Sequence, residues 1–414
     1  MPLTSFYTAL TGLNNNSYAI NVIGDNLANM NTTAFKSAQA TFSELLAGVS
    51  GVDASGNPTS TGLGSSVNGV ARNFTQGTIT STGESLDVAV NGKGYLIVEI
   101  EGSLGFTRSG ALSVDKVGNL ISTDGLSLMG YMGVDGAIDT TGDIVPIFIN
   151  QAQLIPASQT TEVGMTANLN AKALTGDTFS AAVQVIDTLG TEHPLAITFT
   201  KTDAGWDWAA TIPAVDVGGA ATDPAVEVGT GSLEFDTNGL LITPPDNPLL
   251  SITGYTNGAA DMEVSLILWD PNDRPMITSY ANDSAVSNTN QNGFGASAIA
   301  SLSVDVDGVI TGTTENGRTI ALAQLALANF PNEAGLLKYK GSTFVSFSSS
   351  GEPSIGAAGT GGRGTFVGSA LEQSNVDMAA EFVSLIKAQR AYQANSRIIT
   401  TSDELYQDSI SLKR

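Results

Sequence analysis

One histidine, His193, and no cysteine occur among the 414 residues. A multi-histidine metal site, a thiolate nucleophile, a disulfide and a cysteine-bound cluster are therefore excluded, and a His-based triad has a single candidate base. His193 precedes Pro194 beside a predicted strand, where a structural or solvent-facing role is the default. Gly359-x-Gly361-x-x-Gly364 matches G-x-G-x-x-G, but that fingerprint needs a preceding strand in a parallel βαβ unit, and none is predicted; a linker is the better reading. Ser384 and Lys387 form S-x-x-K, yet neither S-D-N nor K-T-G occurs anywhere in the chain. Asp305-x-Asp307-Gly308 and Asp270-x-x-Asp273 lack the alternating ligands of a calcium loop and read as turns. With 40 acidic residues a glycosidase-type carboxylate pair is always available, but nothing selects one. Trp206 and Trp208 flank Asp207 and so share a strand face. Exposed, they would form a platform for a secreted carbohydrate-binding module or glycosidase; buried, they are core. The residues thus predict no enzyme, no cofactor and no metal.

Charge narrows the partners. Seventeen basic against 40 acidic residues give a net charge of −23. Such a chain does not neutralise phosphates, which excludes a general nucleic-acid binder, and it carries no polybasic membrane anchor. No apolar run reaches the roughly 18–20 residues of a membrane-spanning helix, so no membrane insertion is expected. The start, Met1 to Phe6, has neither the basic nor the apolar region of a cleaved Sec signal. Hydrophobic residues at 42% and charged residues at 14% allow a buried core, and 46 glycines imply many turns.

The elements behind these residues fall into a helical pair of ends and a β middle. Leu3, Phe6, Leu10, Leu13, Ile20 and Leu27 follow an alternating spacing of 3 and 4, interrupted at Ser17 and Gly24, the seam of a coiled-coil helix. A second seam runs through Met378, Phe382, Leu385, Tyr392, Ile399 and Tyr406, in a stretch from Ser369 onward with no Gly or Pro. Ser374, Asn375 or Asp377 would cap it. Each stripe is too narrow to hold a lone helix in water, so the two ends are expected to pair with each other or with other copies. Between them the period is two. Hairpins are predicted at Asn91-Gly92, at Asp115–Asn119 and at Asp307-Gly308, and further strands at 183–186, 195–200, 206–212 and 262–269. The fold class is mainly β and multidomain, with terminal α-helices pairing as a coiled coil and one all-β domain inserted in another. The predicted boundaries are 1–30 with 369–414 for the helical part, 31–70 for an extended arm, 71–147 with 288–368 for the first β domain, and 148–287 for the insert. Between about 150 and 290 there are 17 acidic residues and 3 basic ones, so the insert is a strongly acidic body. Gly356 to Gly364 reads as a flexible joint before the last helix.

The two ends also carry motifs. Asn26, Ala28, Asn29, Asn31, Thr32, Phe35 and Lys36 stand at the spacing of the N-terminal signature of the flagellar rod and hook axial proteins, which this segment resembles. The chain departs from that pattern at Ala34, where Gly is usual. Glu372, Ser374, Asn375 and Val376, followed by Gln389, Arg390, Tyr392 and Gln393, resemble the C-terminal signature of the same family. Similar stretches at Asn73–Gly77, Leu86–Val90, Phe106–Gly110 and Leu327–Phe330 extend the resemblance over about the first 145 and last 125 residues. It implies a structural subunit that self-assembles into a tube, with terminal helices around an export channel and the insert outermost. A curved, torque-transmitting tube is implied by the length and the insert; a distal rod or hook-associated part is the alternative. The partners implied are other copies of the chain, distal rod, hook cap and hook–filament junction proteins, and the flagellar type III export apparatus. The location implied is the extracellular flagellum, reached without a cleaved signal.

Overall fold

The computed structural model describes residues 2–45, 48–52, 58–134, 136–150 and 154–411. The chain divides into two compact units: residues 1–150, 301–312 and 319–414, and residues 151–300 with 313–318.

The first unit holds both helices, α1 (Pro2–Ala28) and α2 (Met378–Ser411), packed against each other. Asp377 caps α2: its Oδ1 accepts the N–H groups of Ala379 and Ala380 at 2.9 and 3.1 Å. After α1 the chain runs into an antiparallel ribbon of Ala38–Glu44 against Ser65–Arg72, with Gly48–Val52 paired to Pro58–Thr61 beyond it. The segment expected as an extended arm, 31–70, thus contains two antiparallel strand pairs. A six-stranded sheet follows, in the order Leu337–Lys340, Thr343–Val345, Ser103–Thr107, Tyr95–Ile100, Leu327–Asn329, Ser354–Gly356. Its core is aromatic: Phe106 meets Phe330 edge-on at 4.7 Å, and Tyr95 and Phe344 pack beside them.

Two sequence expectations fail in this unit. Asn91-Gly92 does not close a hairpin. Val88–Asn91 pairs with Thr365–Gly368, while Tyr95–Ile100 pairs with two other strands. Val88, Ala89 and Val90 are all buried, so the strand is covered on both faces, and Gly92 and Gly94 at positive φ let the chain cross between sheets. Nor is Gly356–Gly364 a loose joint. Arg363 donates to Ala357 O, Ser354 O and Thr360 Oγ1, Gly364 N donates to Lys93 O, and two short strands intervene before α2.

The second unit is a β-sandwich. One sheet holds Leu249–Ile252, Met262–Ile267, Glu162–Asn168 and Ile277–Thr278, with Ala285–Gln291 also paired to Glu162–Asn168. The other runs Thr178–Ile186, Glu192–Lys201, Trp206–Ile212, Val226–Phe235, Leu241–Thr243. Inward residues alternate along each strand and fill one core, including Phe199, Trp206, Trp208, Leu250, Val264 and Ile277. The two tryptophans are buried, which removes the sugar platform on which the carbohydrate reading depended. His193 is buried too. Its ring lies on Tyr255, with Nε2 3.1 Å from Asp187 and Nδ1 3.2 Å from Asp216.

A single turn device recurs in both units. Asp115, Asp187, Asp236, Asp270 and Asp305 each accept, at one oxygen, the backbone N–H groups two and four residues on, at 2.8–2.9 Å. The residue three places on has positive φ: Gly118, Gly190, Gly239, Asp273 or Gly308. These bonds hold the carboxyls of Asp236 and Asp270 below the usual carboxylate range, and the Asn119 side-chain amide, followed by its backbone N–H, does the same for Asp115.

Candidate assembly site

The two terminal motifs meet in a buried polar clasp. Lys36 extends from the turn after α1 and donates from Nζ to Glu372 Oε1 at 2.6 Å and to Thr75 O at 2.8 Å. Glu372 also accepts Gly77 N at 2.8 Å on the same oxygen, and Arg108 Nη1 approaches its other oxygen at 3.4 Å. All three charged side chains are buried, and Arg108 covers the Tyr95 ring at 5.0 Å. Burial pulls the Lys36 ammonium below its ordinary pKa, while Glu372 opposes that shift. Burial, reinforced by the charge of Glu333, pushes the Tyr95 phenol far up; its hydroxyl donates to Glu333 at 3.2 Å.

The asparagines complete the clasp. Asn375 accepts Ser37 N at 2.7 Å and donates to Asn73 O and Thr75 O. Asn26 exchanges two bonds with the Ala38 backbone, at 2.7 and 2.9 Å, and donates to Glu381 Oε1 of α2 at 2.9 Å. Asn29 ends α1, bonding Asp25 O and accepting from Thr32. Ala34 adopts φ +58°, the left-handed region, and its N–H donates to Glu372 O at 2.8 Å. Glycine's place in the family pattern therefore coincides with a backbone that glycine suits. Phe35 is buried under the Lys338 ammonium. Ser374 accepts Val376 N. Ala28, Asn31, Gln389, Arg390 and Gln393 stay exposed, and among the described residues no side-chain bond reaches Asn31.

Within one copy the two helices cover only part of the expected seam. Leu3's side chain lies outside the described residues. Phe6, Leu13, Ile20 and Leu27 of α1 are half-buried, while Leu10 is exposed. On α2 the covered positions are Glu381, Leu385, Ala388, Ala391, Asn395, Ile399 and Ser402. Met378, Phe382, Tyr392 and Tyr406 remain exposed, as do Val383, Ile386, Ile398 and Leu405. Close approach sets this phase: a Cβ on Gly12 would lie 2.7 Å from Asn395 Nδ2. The Asn26–Glu381 bond fixes the same rotation. Gly12, Ala388 and Ala391 lie where the helices come closest, while Met378, Phe382 and Ile386, four residues apart, form an exposed apolar row. Gly12, Ala388 and Ala391 were the sequence signal for this, since small residues mark where backbones come close.

Between α1, α2 and the ribbon lies an open groove of about 770 Å³, lined by Ala19, Ile23, Phe42, Arg72, Glu381 and Lys387 among others. Burial lowers the Arg72 guanidinium's pKa there, partly offset by Asp25. Among the described residues no cluster could hold a metal ion, and no helix is long and apolar enough to cross a membrane.

Comparison with known proteins finds four family models along the chain. They are the flagella basal body rod protein (residues 6–36), the flagellar hook protein FlgE/F/G D1 domain (89–164), the flagellar basal body protein FlaE D2 domain (153–294) and the flagellar basal body rod FlgEFG protein C-terminal (367–412). The chain is 33% identical over 430 residues to flagellar hook protein FlgE of Escherichia coli (strain K12), covering 99% of this chain and 100% of the relative. With flagellar hook protein FlgE of Treponema pallidum (strain Nichols) identity is 31% over 469 residues, covering both chains completely. The crystal structure of Helicobacter pylori flagellar hook protein FlgE2 is similar in fold, with a TM-score of 0.50 and 13% identity over 71% of this chain and 99% of that one.

Proposed function

The chain belongs to the flagellar hook protein family, and from that premise we propose how this subunit of the bacterial flagellar hook is built to polymerise. The observation that carries the reading is the exposed apolar row of α2, Met378, Phe382 and Ile386 at successive steps of four, which α1 leaves uncovered. In water such a stripe is costly, at about 25 cal/mol per Å² of apolar area. Terminal helices of other copies cover it in the polymer, and the seam residues Phe6, Leu13, Leu385 and Ile399 hold the pair within each copy. The clasp residues Asn26, Lys36, Glu372 and Asn375 fix the base from which both helices leave.

The helical part (1–30 with 369–414) forms the inner layer of a tube, the domain of 71–147 with 288–368 the middle one, and the acidic insert (148–287) the outer one; the arm (31–70) links the first two. Continuous inner helices and separate outer bodies let the tube bend while it transmits torque. Distal rod, hook cap and junction proteins meet its ends, and the subunit reaches the flagellum through the type III export apparatus. The match of the insert to the FlaE D2 model favours the hook over a distal rod part.

Electron microscopy tests the reading. Purified chain at raised concentration should form short tubes, and a chain with Phe382 and Ile386 both changed to Ser should stay monomeric while its circular dichroism is unchanged. Tubes of normal length from that variant would overturn the proposal.

A further inference from the structure

Six Asn–Gly pairs occur in the chain, at Asn68, Asn91, Asn238, Asn257, Asn292 and Asn316. In this dipeptide the glycine nitrogen can attack the asparagine side chain, most readily where that side chain is free to swing back and the local backbone pairing is weak. The structure restrains five of the six. Asn257 bonds Asp187, Thr191 and Ala259 N; Asn292 bonds Thr161 and Glu162; Asn316 bonds Gly295 O and Thr314. Asn238 donates to Asp236 inside one of the aspartate turns. Each following glycine also commits its nitrogen: Gly239 to Asp236 O, Gly258 to Tyr255 O, Gly293 to Gln291, and Gly317 to Thr314 O. Asn91 has a freer side chain, but Gly92 N donates to Gln76 at 3.1 Å and Asn91 is paired with Thr365.

Asn68 differs. Phe42 pairs with Val67 and Thr41 with Gly69, so Asn68 is the extra residue of a β-bulge and has no cross-strand partner. Its side chain is exposed and makes no hydrogen bond among the described residues; Gly69 is in register with Thr41, so what sets Asn68 apart is an unheld side chain on an unpaired bulge residue. We infer that Asn68 is the site at which this protein undergoes spontaneous deamidation. The Gly69 nitrogen bonds to Asn68 Cγ and loses its proton, the Cγ–Nδ2 bond breaks, and ammonia leaves. Solvent water then opens the resulting succinimide to aspartate or isoaspartate. The product adds a negative charge to the ribbon beside α1, and isoaspartate adds a backbone methylene at the bulge.

Incubating the folded full-length chain at mildly alkaline pH, followed by peptide mapping with isoaspartate detection, tests this. Asn68 should react about tenfold or more ahead of the other five, because each of those must first open locally. In concentrated guanidinium chloride all six should react at similar rates. A folded chain in which another pair leads or none reacts, or an unfolded one that keeps Asn68 ahead, would overturn the assignment.

Discussion

The sandwich and the helix pair solve the same burial problem to different extents. In the sandwich the largest apolar side chains, Trp206 and Phe199 among them, are almost wholly removed from water by the chain itself. On α2, Phe382 stays 48% exposed and Leu405 65%. One region buries its large apolar side chains within a single copy; the other leaves them in water. On the assembly proposed above, that difference marks where folding stops and polymerisation begins.

The sharpest way to break the comparison is to cut each region at its most buried point. Trp206→Ala should cost the sandwich about 3–5 kcal/mol by cavity formation, read as a drop in its denaturation midpoint. Glu372→Ala should cost the first unit a similar amount, about 3–5 kcal/mol, because Lys36 and Arg108 would be left buried without their carboxylate. Either change should leave the other unit's transition near its original midpoint; a single shared loss would show that the two are not energetically separate.

Acid separates them more gently. Asp187 lies in the sandwich beside His193; burial works against its charge, but bonds from Asn257, Thr191 and His193 win and hold its pKa at about 2. Its folded value is below its unfolded one, so its contribution is present above about pH 4 and is lost as pH falls toward 2. Urea midpoints of the sandwich measured between pH 5 and pH 2 should fall through that window, and Asp187→Asn should flatten the fall. Smaller again, Ala34→Gly should stabilise the first unit by about 1 kcal/mol, since the left-handed backbone there penalises a Cβ. Smallest is Phe382→Ala, within about 0.5 kcal/mol in the lone chain by thermal denaturation, as for other exposed positions. Its effect should appear only in tube formation.

Much of this was legible in the sequence where a local pattern had one solution. The period of two in 206–212 and 262–269, the turns at Asp115 and Asp305 and the existence of both helices are of that kind. The motif residues could be named from resemblance, but their pairing across the chain could not. Nothing local says that Lys36 and Glu372 share a bond. Which part of the seam pairs within one copy could not be read from size: Met378, Phe382 and Tyr392 outweigh Ala388 and Ala391 on any apolar scale, yet close packing through Gly12 selects the small face for α1 and leaves the large residues exposed. The Asn91-Gly92 step was misread because a turn dipeptide also serves a chain that changes sheets. His193 and the two tryptophans could be placed only by knowing which face of each strand was inward.

The clasp has a bearing on timing. Its central ion pair joins positions 336 residues apart, so the entropy of closing that span must be met before either charge is compensated. A chain that ends before Glu372 holds a lone ammonium where the finished molecule has a pair. The base of the first helix is thereby among the last places to set, and a chain cut short of that carboxylate lacks the anchor of both helices.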